Sequence, residues 1–214
     1  MRSFKLASSV FLAVTAVAVH AQQTTPSADA LATRVQARYS TIRDFTADFM
    51  LTTTSGLSLG GGSDRGKVIV KKPVRMRWTL ETGSRHEVVS DGTRLFNYFP
   101  KDKVVNEVAL NDQTSTALLL LTGRGDITRD FTAKMAPNQP PGEWRLTLTP
   151  RAAQPDYKEI MLAVDRTTLR LMGLDILDDQ GTVRAFRFSN LRENQGIADS
   201  VFAFRIPPGV DVQR

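Results

Sequence analysis

From Phe45 onward the chain alternates apolar and polar residues in one short run after another, with turn residues between the runs. A period of two places successive side chains on opposite faces, so each run reads as a half-buried β-strand. Phe45, Ala47, Phe49 and Leu51 alternate with Thr46, Asp48, Met50 and Thr52. Gly66-Lys67 opens a run at Val68-Ile69-Val70. Over 72–80, Val74, Met76, Trp78 and Leu80 share one face, and Arg75, Arg77, Thr79 and Glu81 follow the other. Pro73 suits only the start or edge of that strand. Asp91-Gly92 between runs at 85–90 and 93–99 is a hairpin signal. Further strands are expected at 103–108, 131–136, 143–149, 158–165, 169–177, 182–190 and 201–206. Connections this short, with no internal repeat and no linker, predict one domain built as a long antiparallel meander.

Two segments break the period. Leu31, Val35, Tyr39 and Ile42 recur at helical spacing, and Ser27 can cap a helix over 28–42. Asn111 or Asp112 can cap a second helix over 113–122, which stops at Gly123. It holds Leu118, Leu119, Leu120 and Leu121, too many neighbouring leucines for one stripe, so it is apolar almost all round. Gly60, Gly61 and Gly62 fall in a loop at 55–64. They do not open a helix with Gly-Lys-Ser/Thr, as a phosphate loop would.

The first residues read as a targeting segment. Arg2 and Lys5 precede an uncharged run at 6–19, which closes on Val19-His20-Ala21. Fourteen residues at ~1.5 Å each fall short of a ~30 Å bilayer core. Cleavage after Ala21 of a secretory signal peptide, residues 1–21, is therefore expected. It leaves a domain of 22–214. The whole chain of 214 residues carries a net charge of +6, and the leader carries two basic and no acidic residues, so +4 remains. The basic residues sit singly along strands rather than in a block, so neither nucleic acid nor a phosphate track is implied.

The side-chain inventory excludes most catalysis. The chain has no cysteine and two histidines, one of them in the leader. That rules out disulfides, thiolate metal sites, a cysteine nucleophile and a cysteine-linked lipid anchor. His86 lies in the polar arm Ser84-Arg85-His86-Glu87, and no Gly-x-Ser-x-Gly elbow accompanies it. Asp178 and Asp179 flank a turn, where aspartate is expected. No enzyme, metal site or cofactor is read from these residues. The strands instead carry more large apolar side chains than two short helices can cover. A strongly curved sheet so lined can hold a ligand cavity as well as a core.

Several motifs then coincide in order and spacing. They are Arg38-Tyr39, Phe45-Thr46-Ala47-Asp48-Phe49, Gly66-Lys67-Val68, Lys72-Pro73 and Met76-Arg77-Trp78. Val89-Ser90-Asp91-Gly92, Leu95, Tyr98, Pro100 and Leu148-Thr149-Pro150 follow. Phe188-Ser189-Asn190, Asn194, Phe202-Ala203-Phe204 and Pro208-Gly209-Val210-Asp211-Val212 close the series. With these the chain resembles the bacterial outer-membrane lipoprotein carrier proteins, the LolA family, from about Leu31 to Val212. The resemblance implies a mainly β (α+β) fold: an incomplete antiparallel barrel whose helices form a lid over an apolar cavity. It implies a monomeric periplasmic chaperone for acylated lipoproteins. An inner-membrane ATP-driven transporter would load it, and an outer-membrane receptor would unload it.

Three acyl chains of about fifteen methylenes, at ~0.8 kcal/mol each, represent roughly 35 kcal/mol of exposed hydrocarbon, so such cargo needs a shield in water. The expected cavity lining is Phe49, Val74, Met76, Trp78, Leu80, Phe96, Leu118, Leu119, Leu120, Leu121 and Phe186. Family members usually carry an arginine before the motif proline that holds the lid, and here that residue is Lys72. Lys72 is therefore the expected lid latch, without the planar fork of a guanidinium. A second reading is a lipid- or glycolipid-binding or sensing module of the same fold. An empty cavity too small for one acyl chain would count against both.

Overall fold

The computed structural model describes residues 25–55, 62–83, 85–110 and 120–214. Helix α1 spans Ala28–Ser40 and starts where its cap predicts: the Ser27 hydroxyl accepts the Ala30 N–H at 3.2 Å. Asp29 in the first turn and Arg38 in the last both oppose the helix dipole favourably. Leu31, Ala32 and Val35 form its buried face. Ile42, expected as the last helical position, is buried in the connection that follows.

Strands β1 (Asp44–Thr54), β2 (Gly62–Lys71), β3 (Arg75–Leu80), β4 (Glu87–Ser90), β5 (Arg94–Phe99) and β6 (Val104–Ala109) run as successive antiparallel neighbours. After a short helix α2 (Ile127–Asp130), β7 (Phe131–Met135), β8 (Glu143–Pro150), β9 (Glu159–Asp165), β10 (Leu171–Leu177) and β11 (Val183–Glu193) repeat the pattern. The two meanders join where β11 pairs with β1. With the last strand, β12 (Asp211–Gln213), the described residues form one twelve-stranded sheet in the order β12-β6-β5-β4-β3-β2-β1-β11-β10-β9-β8-β7. Its end strands, β7 and β12, do not pair with each other, so the barrel is incomplete.

The sheet must curve, because side chains from distant strands meet in one core. Trp78 on β3 and Leu174 on β10 are four strand steps apart, ~19 Å along a flat sheet, yet they line one cavity. Register shifts supply part of the bend, between Thr46 and Asp48 against β11 and between Leu171 and Gly173 against β9. Gly66 lets the inner side chains pack close to the backbone. It pairs with Phe49, and a Cβ there would lie 2.6 Å from the Phe49 ring and 2.1 Å from the Thr79 carbonyl oxygen. The aromatic ring fills the space that a side chain on β2 would need.

Several expectations need correction. Val74 is not in a strand: residues 72–74 form a turn and β3 begins at Arg75. Pro73 brings no N–H to a ladder, and the Val74 N–H, at φ +67°, donates to Thr122 O at 3.3 Å. The expected strand at 201–206 is also absent. Asp199–Phe202 is a 3-10 helix, and the chain after it runs across the sheet's outer face. Its backbone is held by side chains: Arg77 donates to Val201 O at 2.8 Å and to Ala203 O at 3.0 Å. The last strand, β12 (Asp211–Gln213), pairs parallel with β6 instead. Helix α2, not foreseen, is nucleated by Asp126, whose carboxylate accepts the Thr128 and Arg129 N–H groups. The leader, residues 56–61 and most of the expected second helix, including Leu118 and Leu119, lie outside the described residues.

Candidate functional site

The inner face of the sheet, α1 and residues 120–122 enclose the core. Residues 120–122 are helical and end at Gly123, which takes φ +82°. A left-handed glycine closes a helix because it has no Cβ to clash. Leu120 and Leu121 are each 3% exposed.

An apolar cavity of about 250 Å³ lies against this segment, lined by Leu51, Trp78, Leu80, His86, Val88, Leu121, Leu174, Ile176, Arg184 and Phe186. On the other side of Leu121 is a gap of about 20 Å³, between α1, α2, β9 and β10. Leu121 belongs to both walls. Trp78 is packed by Phe49, Phe186 and Phe188, with ring centroids 5.0, 5.3 and 6.3 Å away. The larger space falls below the ~300–1,000 Å³ of ordinary small-molecule sites. Whatever larger apolar group it accepts must displace part of the wall.

Of the expected lining residues, Trp78, Leu80, Leu121 and Phe186 meet in this cavity, and Leu120 borders the smaller gap. Phe49 and Met76 are buried in the core behind them. Val74 sits in the turn that touches residue 122. Phe96 is on the opposite face: it pairs with Val89 and stacks on Phe204 at 5.0 Å, under the C-terminal segment. Leu51, Val88, Leu174, Ile176, His86 and Arg184 were not singled out from the sequence. Val88 could have been, since it lies directly across from Trp78 in the β3–β4 hairpin. Leu174, Ile176 and Arg184 could not, because nothing local links β10 and β11 to β3.

Among the described residues, Tyr39, Val74 and Lys72 hold residues 120–123 down. The Tyr39 hydroxyl donates to Leu121 O at 2.6 Å. The Val74 N–H holds Thr122 O. The Lys72 stem lies on Gly123, so close that a Cβ at Gly123 would meet it at 2.6 Å. The Lys72 ammonium donates to the Tyr39 carbonyl oxygen and sits 3.7 Å from the centre of the Tyr39 ring. It thus grips the end of α1 rather than the backbone of 120–122. Burial, followed by repulsion from Arg38, pushes the Lys72 ammonium down to about 8. Burial and the negative charge of Glu193 push the Tyr39 hydroxyl above the usual phenol range, so it stays a donor. Arg38 is itself ion-paired with Glu193 on β11.

Among the described residues no group of His, Asp and Glu side chains is placed to hold a metal ion. No helix among them is long and apolar enough to cross a membrane.

Comparison with known proteins agrees with this fold. The chain is similar over its full length to the outer-membrane lipoprotein carrier protein of Chromohalobacter salexigens, with 31% identity covering 99% of that protein. It is 27% identical to the protein of that description from Hahella chejuensis, over 81% of this chain and 83% of the other. Its fold is similar to that of an uncharacterized conserved protein from Thermus thermophilus, with a TM-score of 0.54 at 13% identity, covering 86% of this chain and 99% of that one. The family model for outer membrane lipoprotein carrier protein LolA matches residues 40–205. The motifs, the open twelve-stranded sheet and the full-length relatives together place this chain in the outer-membrane lipoprotein carrier (LolA) family.

Proposed function

We propose that the protein is a non-enzymatic periplasmic chaperone. It binds the acyl chains of lipoproteins released from the inner membrane and delivers them to the outer membrane. An ATP-driven transporter would load it and an outer-membrane receptor would take its cargo. The observation that carries this reading is the apolar cavity walled by Leu121, a residue fastened through a few hydrogen bonds to its own backbone segment. The resting cavity is smaller than a single long acyl chain, which counts against a ready-made lipid site; the carrier reading therefore requires residues 120–122 to lift on loading. Lifting them would join the two spaces that Leu121 divides. The 1–21 leader supplies the route to the periplasm.

Mass spectrometry of protein isolated from the periplasm tests the reading. Co-purified acylated lipoprotein supports it, a glycolipid or other free lipid supports the sensing-module alternative, and an empty protein that takes up no lipopeptide overturns it. Lys72 acts in this proposal as a latch on α1. Because the latch is made in the empty state, Lys72→Leu should hold lipopeptide longer and Lys72→Arg, with its stronger grip, should release it faster. Equal release from both variants would end the latch role.

A further inference from the structure

Trp78 combines two properties that do not belong together in a plain apolar lining. It is 5% exposed and lines the cavity, yet its indole Nε1–H, closed off from the open space in the empty protein, has no acceptor. The other tryptophan shows the ordinary arrangement: Trp144 donates its Nε1–H to Arg166 O at 3.2 Å. Buried donors are normally satisfied, because leaving one unpaired forfeits its hydration without return. A bound water does not remedy this, since it needs several polar partners, and the rings packed on the indole are those of Phe49, Phe186 and Phe188. A phenyl face is at best a weak acceptor. The three neighbours are phenylalanines, so an apolar ring is what this part of the core otherwise uses. The same cavity wall also holds two polar residues, His86 and Arg184.

We propose that the Trp78 Nε1–H is a recognition subsite for the carbonyl oxygen that joins an acyl chain to its lipid. The inference rests on the reading that the cavity takes acyl chains. Hydrocarbon alone needs no donor; an ester or amide carbonyl buried with its chain does, because it loses its own hydration on entry. Once the wall yields to admit the chain, this donor satisfies that oxygen and fixes how deep the chain enters. The cost of the unpaired donor in the empty protein is recovered only by a ligand that carries an acceptor. Acyl lipids are thereby favoured over ether lipids and plain hydrocarbons of equal length.

The test compares dioctanoylglycerol, which has ester carbonyls, with the matched dioctylglycerol ether, which has none. Each displaces an apolar fluorescent dye from the full mature protein. The ratio of ester to ether affinity should fall about five- to tenfold in Trp78→Phe relative to wild type. Replacing Trp78 by benzothienylalanine keeps the shape, removes the N–H and should give the same fall, which covers the case in which Trp78→Phe folds poorly. An unchanged ratio in both variants, with both lipids still bound, overturns the Trp78 subsite and leaves the carrier reading standing. Failure of both lipids to displace the dye from wild type overturns the carrier reading and the subsite together.

Discussion

At the scale of single residues, Lys72 and Tyr39 act as one unit. The ammonium sits between the Tyr39 carbonyl and the Tyr39 ring while the stem packs on Gly123, and burial makes the charged form costly. A base whose pKa is lowered by folding binds fewer protons in the folded than in the unfolded state, so stability rises with pH between the two values. The penalty is complete below about 8, the folded value, and is relieved as pH climbs toward the ordinary 10.5. Relative to Lys72→Met, the wild type should therefore gain on the order of 1 kcal/mol across that window, after allowing for solvent screening of a half-exposed amine. Urea titrations of both proteins at pH 7 and pH 10.5 check this; a constant difference would contradict it. Tyr39→Phe leaves the Leu121 carbonyl without its donor. The expected cost is about 1–2 kcal/mol, felt locally. Hydrogen exchange at residues 120–123 should quicken about tenfold, while that of β1 and β11 stays the same.

At the scale of elements, the segment after β11 is held by side chains where a strand would be held by its backbone. The buried Asp44 carboxylate, at the start of β1, accepts the N–H groups of Gln195, Gly196 and Ile197 at 2.6, 3.1 and 3.3 Å. Lys71 donates to Ile197 O at 2.6 Å and pairs with Asp199 at 2.5 Å. Phe202 is fully buried beneath this strap, and Phe204 covers Phe96 and Tyr98. Asp44→Ala removes the acceptor of three N–H groups at once. It should destabilise the protein by about 2–4 kcal/mol. It should also expose the bond after Arg205 to trypsin well before the sheet unfolds. Coincident cleavage and global unfolding would show that the strap is not a separate unit. The alternation of Phe202 and Phe204 resembles a strand in sequence. The difference lies in Arg77 and Lys71, whose side chains take the carbonyls that a ladder would have used.

At the scale of the molecule, Leu121 is the partition between the cavity and the gap behind it. Leu121→Ala should merge them, lower stability by about 2–4 kcal/mol and strengthen binding of an apolar dye. Weaker dye binding in a protein that remains folded would refute the partition. Much of the architecture was legible beforehand. Strands β1, β4, β5 and β8 to β11, the cap of α1 and the stop at Gly123 follow from period, capping and turn chemistry, which act over a few residues. Less than half of the candidate cavity was legible: Trp78 and Leu80 share a strand face, Leu121 belongs to the leucine run and Phe186 lies in an expected strand. The sequence by itself determined that the chain makes antiparallel strands with one apolar face and few helices, because those properties reside in local spacing and in side-chain identity. Only the tertiary structure decided that β11 closes on β1, that β10 faces β3 across the cavity, that Phe96 looks outward and that Lys72 grips α1. Each of these depends on how far the sheet curves and on which strands meet across it, and curvature is a sum over bulges, glycines and packing that no single run of residues contains.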